Sequence, residues 1–397
     1  MKANLININN RFSILALIVG ATVTEAMLLL LPIYIGALND LLALSATEIG
    51  LIGSADLAGI ALSVTTAMVW LRKYPWRSTV LWALTLFFAT NIVSIHQTNF
   101  TVLMALRFAG GLGAGAAYAI ALAGICDSHN PARNSALMVC SQVIFGAIGL
   151  FVLPSLAHDW RLDGIYLYIS LGAILAIVLS YFYFPNNTQT QPSSHFPPVR
   201  KFGWQGTLAF AGTSLYFVTI GVVWSYLERI ALNTGLSLED VGFSLSAGYI
   251  ISLLGSFSAA YFGVKWGTAW PMIVAGSVQF MMLVVFYVLD VFPHSALIFF
   301  AANAVFQFFW SYIISYQIVI FSDADKDGRF LPLYGTSVHI ALAVGPFLGA
   351  NMVKDDHYLN VLTFGMVSLT LCYLSFLGSV YLGKKSALSG PTTVGSH

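Results

Sequence analysis

The chain has 397 residues, of which 58% are hydrophobic and 8% charged, and its formal net charge is +1. Soluble domains carry roughly 25% charged residues, so this is the composition of an integral membrane protein; with no Lys/Arg-rich run, it excludes a nucleic-acid-binding surface. Cys126, Cys140 and Cys372 lie in or beside apolar segments without metal-ligand spacing and read as small packed side chains.

A membrane-spanning helix needs about 20 apolar residues. That ruler predicts spans near 12 to 38, 47 to 71, 78 to 97, 101 to 126, 134 to 156 and 164 to 184, then near 204 to 232, 238 to 264, 269 to 289, 295 to 321, 329 to 352 and 359 to 383. The first run follows Lys2 and Arg11 but exceeds the roughly 7 to 15 apolar residues of a signal peptide, and is span 1. Between the two sets of six, residues 185–203 are rich in Asn, Thr, Gln, Ser and Pro and read as a flexible linker. The polar stretch 384–397 reads as a disordered tail.

Lys and Arg are retained on the cytoplasmic side. With the N-terminus inside, only Arg161, Arg229 and Lys354 of the 17 Lys and Arg residues fall outside, and Arg107 lies within span 4. Both termini and the linker are therefore expected in the cytoplasm.

The halves repeat one another. Ser45 with Glu48 and Ser237 with Asp240 have the Ser-x-x-acid form of a helix N-cap at the starts of spans 2 and 8, each followed two residues later by glycine, Gly50 and Gly242. Asp127 and Arg133 after span 4 recur as Asp323 and Arg329 after span 10, where Asn303 holds the place of Arg107. Arg107, Gly111, Gly115 and Tyr118 share one face of span 4, with glycines where another backbone can approach. Two such superposable halves are a recurrent transporter plan.

Span 4 reads Leu103, Arg107, Gly110, Gly111, Gly113 and Ala114, and in this it resembles the span-4 motif of the major facilitator superfamily, with Gly110 in place of the motif's Gln. The resemblance covers nearly the whole chain. It implies that spans 1, 4, 7 and 10 line a central cavity, that spans 2, 5, 8 and 11 form the contact between halves, and that Arg107 is associated with proton coupling. Other signatures are worn. The loop after span 2 reads Arg72, Lys73, Tyr74, Pro75, Trp76, Arg77, without the family's acid or glycine, and the matching loop keeps Lys265 and Gly267 after Val264. The antiporter signature of span 5 is absent, since Leu150 follows Gly149; a Gly-Pro-x-x-Gly pattern occurs instead in span 11 as Gly345, Pro346 and Gly349.

An ionisable residue inside the membrane is a functional candidate by default. Glu25, Asp56, Arg107 and His339 crowd the middle and outer-middle of the bilayer and are the candidates for proton coupling. Glu25 and Arg107 are expected to face the cavity at nearly one depth, either as a structural ion pair or as a proton or substrate site with Arg107 as modulator or anion anchor. Asp56 and His339, one in each half, are at similar depth and either meet across the interface or leave Asp56 with a partner in its own half, such as Arg107. Span 7 offers two faces, one with Tyr216, Thr219 and Tyr226 and one with Phe217, Trp224 and Glu228; Glu228 matches Gly36 in the repeat, so the second is expected to face the cavity. Span 10 presents Asn303, Gln307, Trp310, Ile314 and Gln317 in one stripe. The expected substrate-binding set is thus Glu25, Arg107, Tyr118, Phe217, Trp224, Glu228, Asn303, Gln307 and Trp310.

The sequence therefore predicts an all-α integral membrane protein with twelve transmembrane helices in two pseudo-symmetric six-helix bundles, 1–184 and 204–383, joined by a cytoplasmic linker. The function expected is proton-coupled secondary transport of a small organic solute by alternating access, with no cofactor beyond the proton gradient. An exporter of amphipathic or cationic compounds and a non-transporting receptor of the same fold stay open as alternatives. A membrane enzyme is disfavoured because the histidines are scattered without a His-Glu-x-x-His group. The expected setting is the cell membrane, the inner membrane if the source is bacterial, with a multi-pass monomer whose partners are solute, protons and lipid.

Overall fold

In the computed structural model, residues 7–156, 158–185, 203–291, 296–324, 331–354 and 357–388 are described. Among the described residues, ten helices are long and apolar enough to cross a membrane. Span 3 (Trp76–Ser94) is a further helix of 19 residues, and span 1 is built from three consecutive pieces, α1 (Arg11–Thr24), α2 (Ala26–Leu29) and α3 (Leu31–Leu41). The others are Ala46–Trp70, Phe100–Cys126, Pro131–Val152, Arg161–Tyr183, Trp204–Asn233, Leu238–Phe262, Ala269–Val291, Ala296–Ala324, Leu331–Ala350 and Leu359–Leu388. This is a multi-pass membrane protein of twelve helical spans in two six-helix halves.

Span 1 is not the single helix that its apolar run suggests. Proline has no N–H, so Pro32 cannot bond the carbonyl four residues back. That carbonyl, on Leu28, instead accepts from Trp224 Nε1 of span 7 at 3.0 Å. A second interruption falls at Glu25, whose N–H bonds Val23 rather than Ala21. The released Ala21 carbonyl accepts from Gln142 Nε2 of span 5 at 3.3 Å and from Thr24 Oγ1 at 3.3 Å. Backbone groups in the membrane must find protein partners, and both breaks in span 1 are satisfied by side chains from neighbouring spans.

Close backbone approach holds the helix pairs within each half. A Cβ on Gly111 would collide with the Asp56 carbonyl of span 2, and one on Gly115 would lie 2.7 Å from Ile60 Cα. Gly255 of span 8 meets the Phe308 backbone of span 10 in the same way. Small residues at such crossings let two helices pack where lipid supplies no hydrophobic drive.

The caps of spans 2 and 8 form as their sequences imply, with one difference. Ser45 accepts from Glu48 N at 3.3 Å while Glu48 Oε2 accepts from Ser45 N at 2.8 Å, a complete capping box. Ser237 accepts from Asp240 N at 3.1 Å, and the shorter Asp240 side chain takes the Ser237 hydroxyl instead, at 2.6 Å. At the end of the chain, span 12 continues to Leu388, past the expected limit at 383, with Lys385 in its last turn, where a cation suits the helix dipole. The linker residues 186–202, the rest of the tail and the Arg329 of the repeat lie outside the described residues.

The halves meet from mid-height to the far end of the bundle, the end reached by the C-terminus of span 1. There Phe347 N donates to Ser54 Oγ at 3.0 Å, Gly50 packs on Pro346 and Ala350, and Gly242 packs on Leu150 and Pro154. At the near end, Arg72 makes a bidentate pair with Asp127 at 2.6 and 3.0 Å, so the basic loop after span 2 is anchored to span 4 of its own half.

Candidate functional site

A cavity of about 260 Å³ lies between the halves at mid-height. Its walls are Leu28 and Leu29 of span 1, Phe217, Ile220 and Trp224 of span 7, and Phe306, Trp310 and Ile314 of span 10, with Tyr118, Tyr249 and Tyr334 between them. The polar groups in this lining are few: Glu25, His339, Gln142, Gln307 and the tyrosine hydroxyls. Trp224, Tyr249 and Trp310 stack in series, with centroids 5.1 and 6.2 Å apart and planes tilted by 21° and 18°.

Glu25 sits at the first break in span 1 and is 5% exposed. Its Oε1 lies 3.5 Å from Nε2 of His339, in span 11 of the other half. His339 Nδ1 is 2.8 Å from the Gly335 carbonyl. A carbonyl only accepts, so Nδ1 carries a proton and Nε2 is the nitrogen presented to Glu25. The contact is then attractive when one proton is shared, either as imidazolium and carboxylate or as imidazole and carboxylic acid. With no proton, a lone pair faces an anion; with two, a cation faces a neutral acid. Tyr118 packs beside the imidazole at a ring separation of 5.7 Å.

Arg107 does not reach this cavity. It is fully buried within the first half, donating to Asn91 Oδ1 at 3.0 Å, the Thr90 carbonyl at 3.1 Å and Ser94 Oγ at 2.8 Å, with its guanidinium 4.9 Å over Tyr166. The expected Glu25–Arg107 pair is therefore not formed: span 3 offers three acceptors and Tyr166 a ring face on the opposite side of span 4. Asp56 is also fully buried, at the crossing of spans 2 and 4, with neither carboxylate oxygen hydrogen-bonded and Gly110 and Gly111 against it. It forms an ion pair with neither His339 nor Arg107; the histidine has turned to Glu25.

Three more expected cavity residues lie elsewhere. Asn303 donates to the Ser244 carbonyl of span 8 at 2.7 Å and packs on Gly248, so the upper end of the span-10 stripe closes on its neighbour while Gln307, Trp310 and Ile314 face the cavity. Gln317, at the other end of the stripe, is buried outside the lining. On span 7, Phe217 and Trp224 line the cavity, and Tyr216 turns into the bundle to meet Gln279 at 3.1 Å. Glu228, one turn beyond Trp224, lies above the cavity against Gly36, its counterpart in the repeat.

Glu228 belongs to a charged cluster at the far end. Asp40 of span 1 bonds Arg161 of span 6 at 2.6 Å and Arg229 of span 7 at 2.6 Å, and Arg229 also donates to the Gly36 carbonyl. Arg229 thus ties span 7 to span 1 across the halves. Sequence reading singled out neither Asp40 nor Gln142, Tyr249 and Tyr334; ordinary polar and aromatic residues on spans 1, 5, 8 and 11 carry no periodic signal that separates them from packing residues.

The Major Facilitator Superfamily family model matches residues 13–346, most of the chain. The protein belongs to the Major Facilitator Superfamily. It is accordingly a secondary transporter and not an enzyme. This major facilitator matches no curated protein. Among solved structures it is similar to a partially occluded inward-open form of the xylose transporter XylE from E. coli, at 13% identity and a TM-score of 0.72, over 97% of this chain and 99% of that one. It is also similar to the nucleoside transporter NupG, at 10% identity and a TM-score of 0.70, over 95% and 100%. A D-xylose-proton symporter matches at 13% identity and a TM-score of 0.70, over 90% and 96%. At these identities the likeness is one of fold. In this major facilitator the cavity walls come from spans 1, 4, 7 and 10 as the resemblance implies, and also from spans 5, 8 and 11.

Proposed function

We propose that this protein carries a small amphipathic organic solute, neutral or cationic, by alternating access coupled to a proton held between Glu25 and His339. The observation that carries the reading is the placement of that pair: among the described residues, the only carboxylate and the only imidazole in the cavity lining come one from each half and face each other at 3.5 Å. Rocking of the halves separates them, so their proton occupancy and the conformation are linked. The aromatic walls and the absence of Lys or Arg among the described lining residues favour a planar or amphipathic solute over an anion. The alternative of a proton-driven exporter of cationic amphiphiles draws on the same features, with Glu25 as the acid among aromatic rings.

In this reading the near end, with the N-terminus and the Arg72–Asp127 pair, is cytoplasmic, as the Lys/Arg distribution implies. The far end is then the outer closure, and the cavity belongs to an inward-facing state, the state named for one of the xylose-transporter structures of similar fold. The xylose and nucleoside carriers among those neighbours support a small organic solute. The test is a thermal-shift screen of the purified protein against organic amines, neutral aromatics, sugars, nucleosides and organic acids at two pH values, followed by flux of each hit into vesicles under an imposed pH gradient. Stabilisation by amphipathic amines or neutral aromatics and gradient-dependent flux are the expected results; stabilisation by organic acids alone, or flux indifferent to the gradient, overturns the reading.

A further inference from the structure

Glu228 is 1% exposed, and neither of its carboxylate oxygens has a hydrogen-bond partner. The nearest cationic atom, Arg229 Nη2, is 3.7 Å away, beyond hydrogen-bond reach. Among the described residues, every charged group packed around it is committed elsewhere. Asp40 of span 1 takes Arg161 and Arg229 at 2.6 Å each, and the other terminal nitrogen of Arg229 serves the Gly36 carbonyl. The Nε atoms of Arg161 and Arg229 are also unpartnered, yet the carboxyl group of Glu228 takes neither. Tyr358 adds only a phenol on the Arg229 side.

The space beside the carboxyl group is about 10 Å³, at the lower limit for a single water, and its walls are Ile33, Leu153, Pro154, Ile165 and Leu238 apart from Arg161. An ionised carboxylate is not stably buried without hydrogen bonds, whereas a neutral carboxylic acid is tolerated. The group also sits against Gly36 of the other half, where any Cβ would collide with it. Closing the far end is what buries it.

We propose that Glu228 is a second proton-binding site, distinct from the cavity pair, filled whenever the far-end closure forms. On opening, the acid loses its proton to water and the carboxylate is hydrated; on closing, one proton is taken up. The site needs neither the solute nor the Glu25–His339 reading; the proposed orientation matters only in making the outside the source of the proton. For one proton, the ratio of closed to open molecules falls by up to tenfold per pH unit.

The test uses the full chain with Cys126, Cys140 and Cys372 replaced and spin labels at Thr98→Cys and Asn351→Cys, two exposed far-end positions on opposite halves. It is run in a Glu25→Gln, His339→Gln background, so that the cavity pair contributes no titration. Distances between the labels are expected to lengthen as pH rises, and adding Glu228→Gln to hold the closed distance at every pH. A pH response that survives Glu228→Gln, or none without it, overturns the proposal. Should Glu228→Gln not fold, infrared spectra of the Glu25→Gln protein labelled at its glutamate carboxyl carbons decide. Of the four glutamates, only Glu48, Glu228 and Glu239 then remain; Glu239 is exposed and Glu48 bonded to Ser45. A carboxylic-acid carbonyl band at neutral pH supports the proposal, and its absence overturns it.

Discussion

Trp224 of the second half donates its indole N–H to the carbonyl of Leu28 in the first, at 3.0 Å, and that carbonyl is free because Pro32 has no N–H to offer it. The bond exists only while the halves are together at this height. Trp224→Phe keeps most of the ring and removes the donor, leaving the buried Leu28 carbonyl with only the Leu30 N–H, at a cost of about 1 kcal/mol. The expected outcome is a shift of roughly fivefold towards the state open at the far end, read as modification of a single cysteine introduced at Ser54, which the far-end closure covers. Unchanged modification contradicts the role assigned to this bond.

Arg107 is expected to act on stability before it acts on ligand affinity. Its removal leaves Asn91 Oδ1 without its donor and Ser94 with only its bond to the Thr90 carbonyl, and each lost hydrogen bond to a charged group costs about 1.5–3 kcal/mol. Arg107→Ala should lose most of its thermal stability while the protein that remains folded binds solute with an affinity within about threefold of the parent. A variant of normal stability that has lost binding would return Arg107 to the cavity.

Gly111→Leu forces a side chain against the Asp56 backbone, and overpacking of this kind costs about 1–3 kcal/mol or more. Gly20, which has no atom within reach of an added Cβ, is the control: Gly20→Ala should be near neutral. Melting of the two purified variants in detergent checks the contrast, and equal destabilisation contradicts the packing argument.

The span pattern was legible in the sequence because twenty-residue apolar runs, paired caps at Ser45 and Ser237, and the recurrence of Asp127 as Asp323 all report on local structure and repetition. Partner choice was less legible. Arg107 and Glu25 stand at similar depth, but the direction of the Arg107 side chain is decided by Asn91, Ser94 and Tyr166, three residues with no special spacing relative to it. Glu25 sits at a helix break that the hydropathy of span 1 does not record, and the break turns it towards span 11, where His339 waits in place of the expected Asp56 contact. The far-end cluster of Asp40, Arg161 and Arg229 joins spans distant in the chain, and nothing in the local sequence of Asp40 announces it.

The shared proton between Glu25 and His339 is the central claim, and each group can be silenced singly and together. His339→Gln and Glu25→Gln should each abolish solute accumulation driven by an imposed pH gradient, and because both act on one proton the double variant should be no worse than the worse single. The most direct measurement follows the acidity inside vesicles, with an entrapped pH indicator, as solute is added to reconstituted protein. The account predicts proton movement that accompanies solute in the parent and vanishes in Glu25→Gln while solute binding persists; solute-dependent proton movement that survives Glu25→Gln undiminished would contradict it.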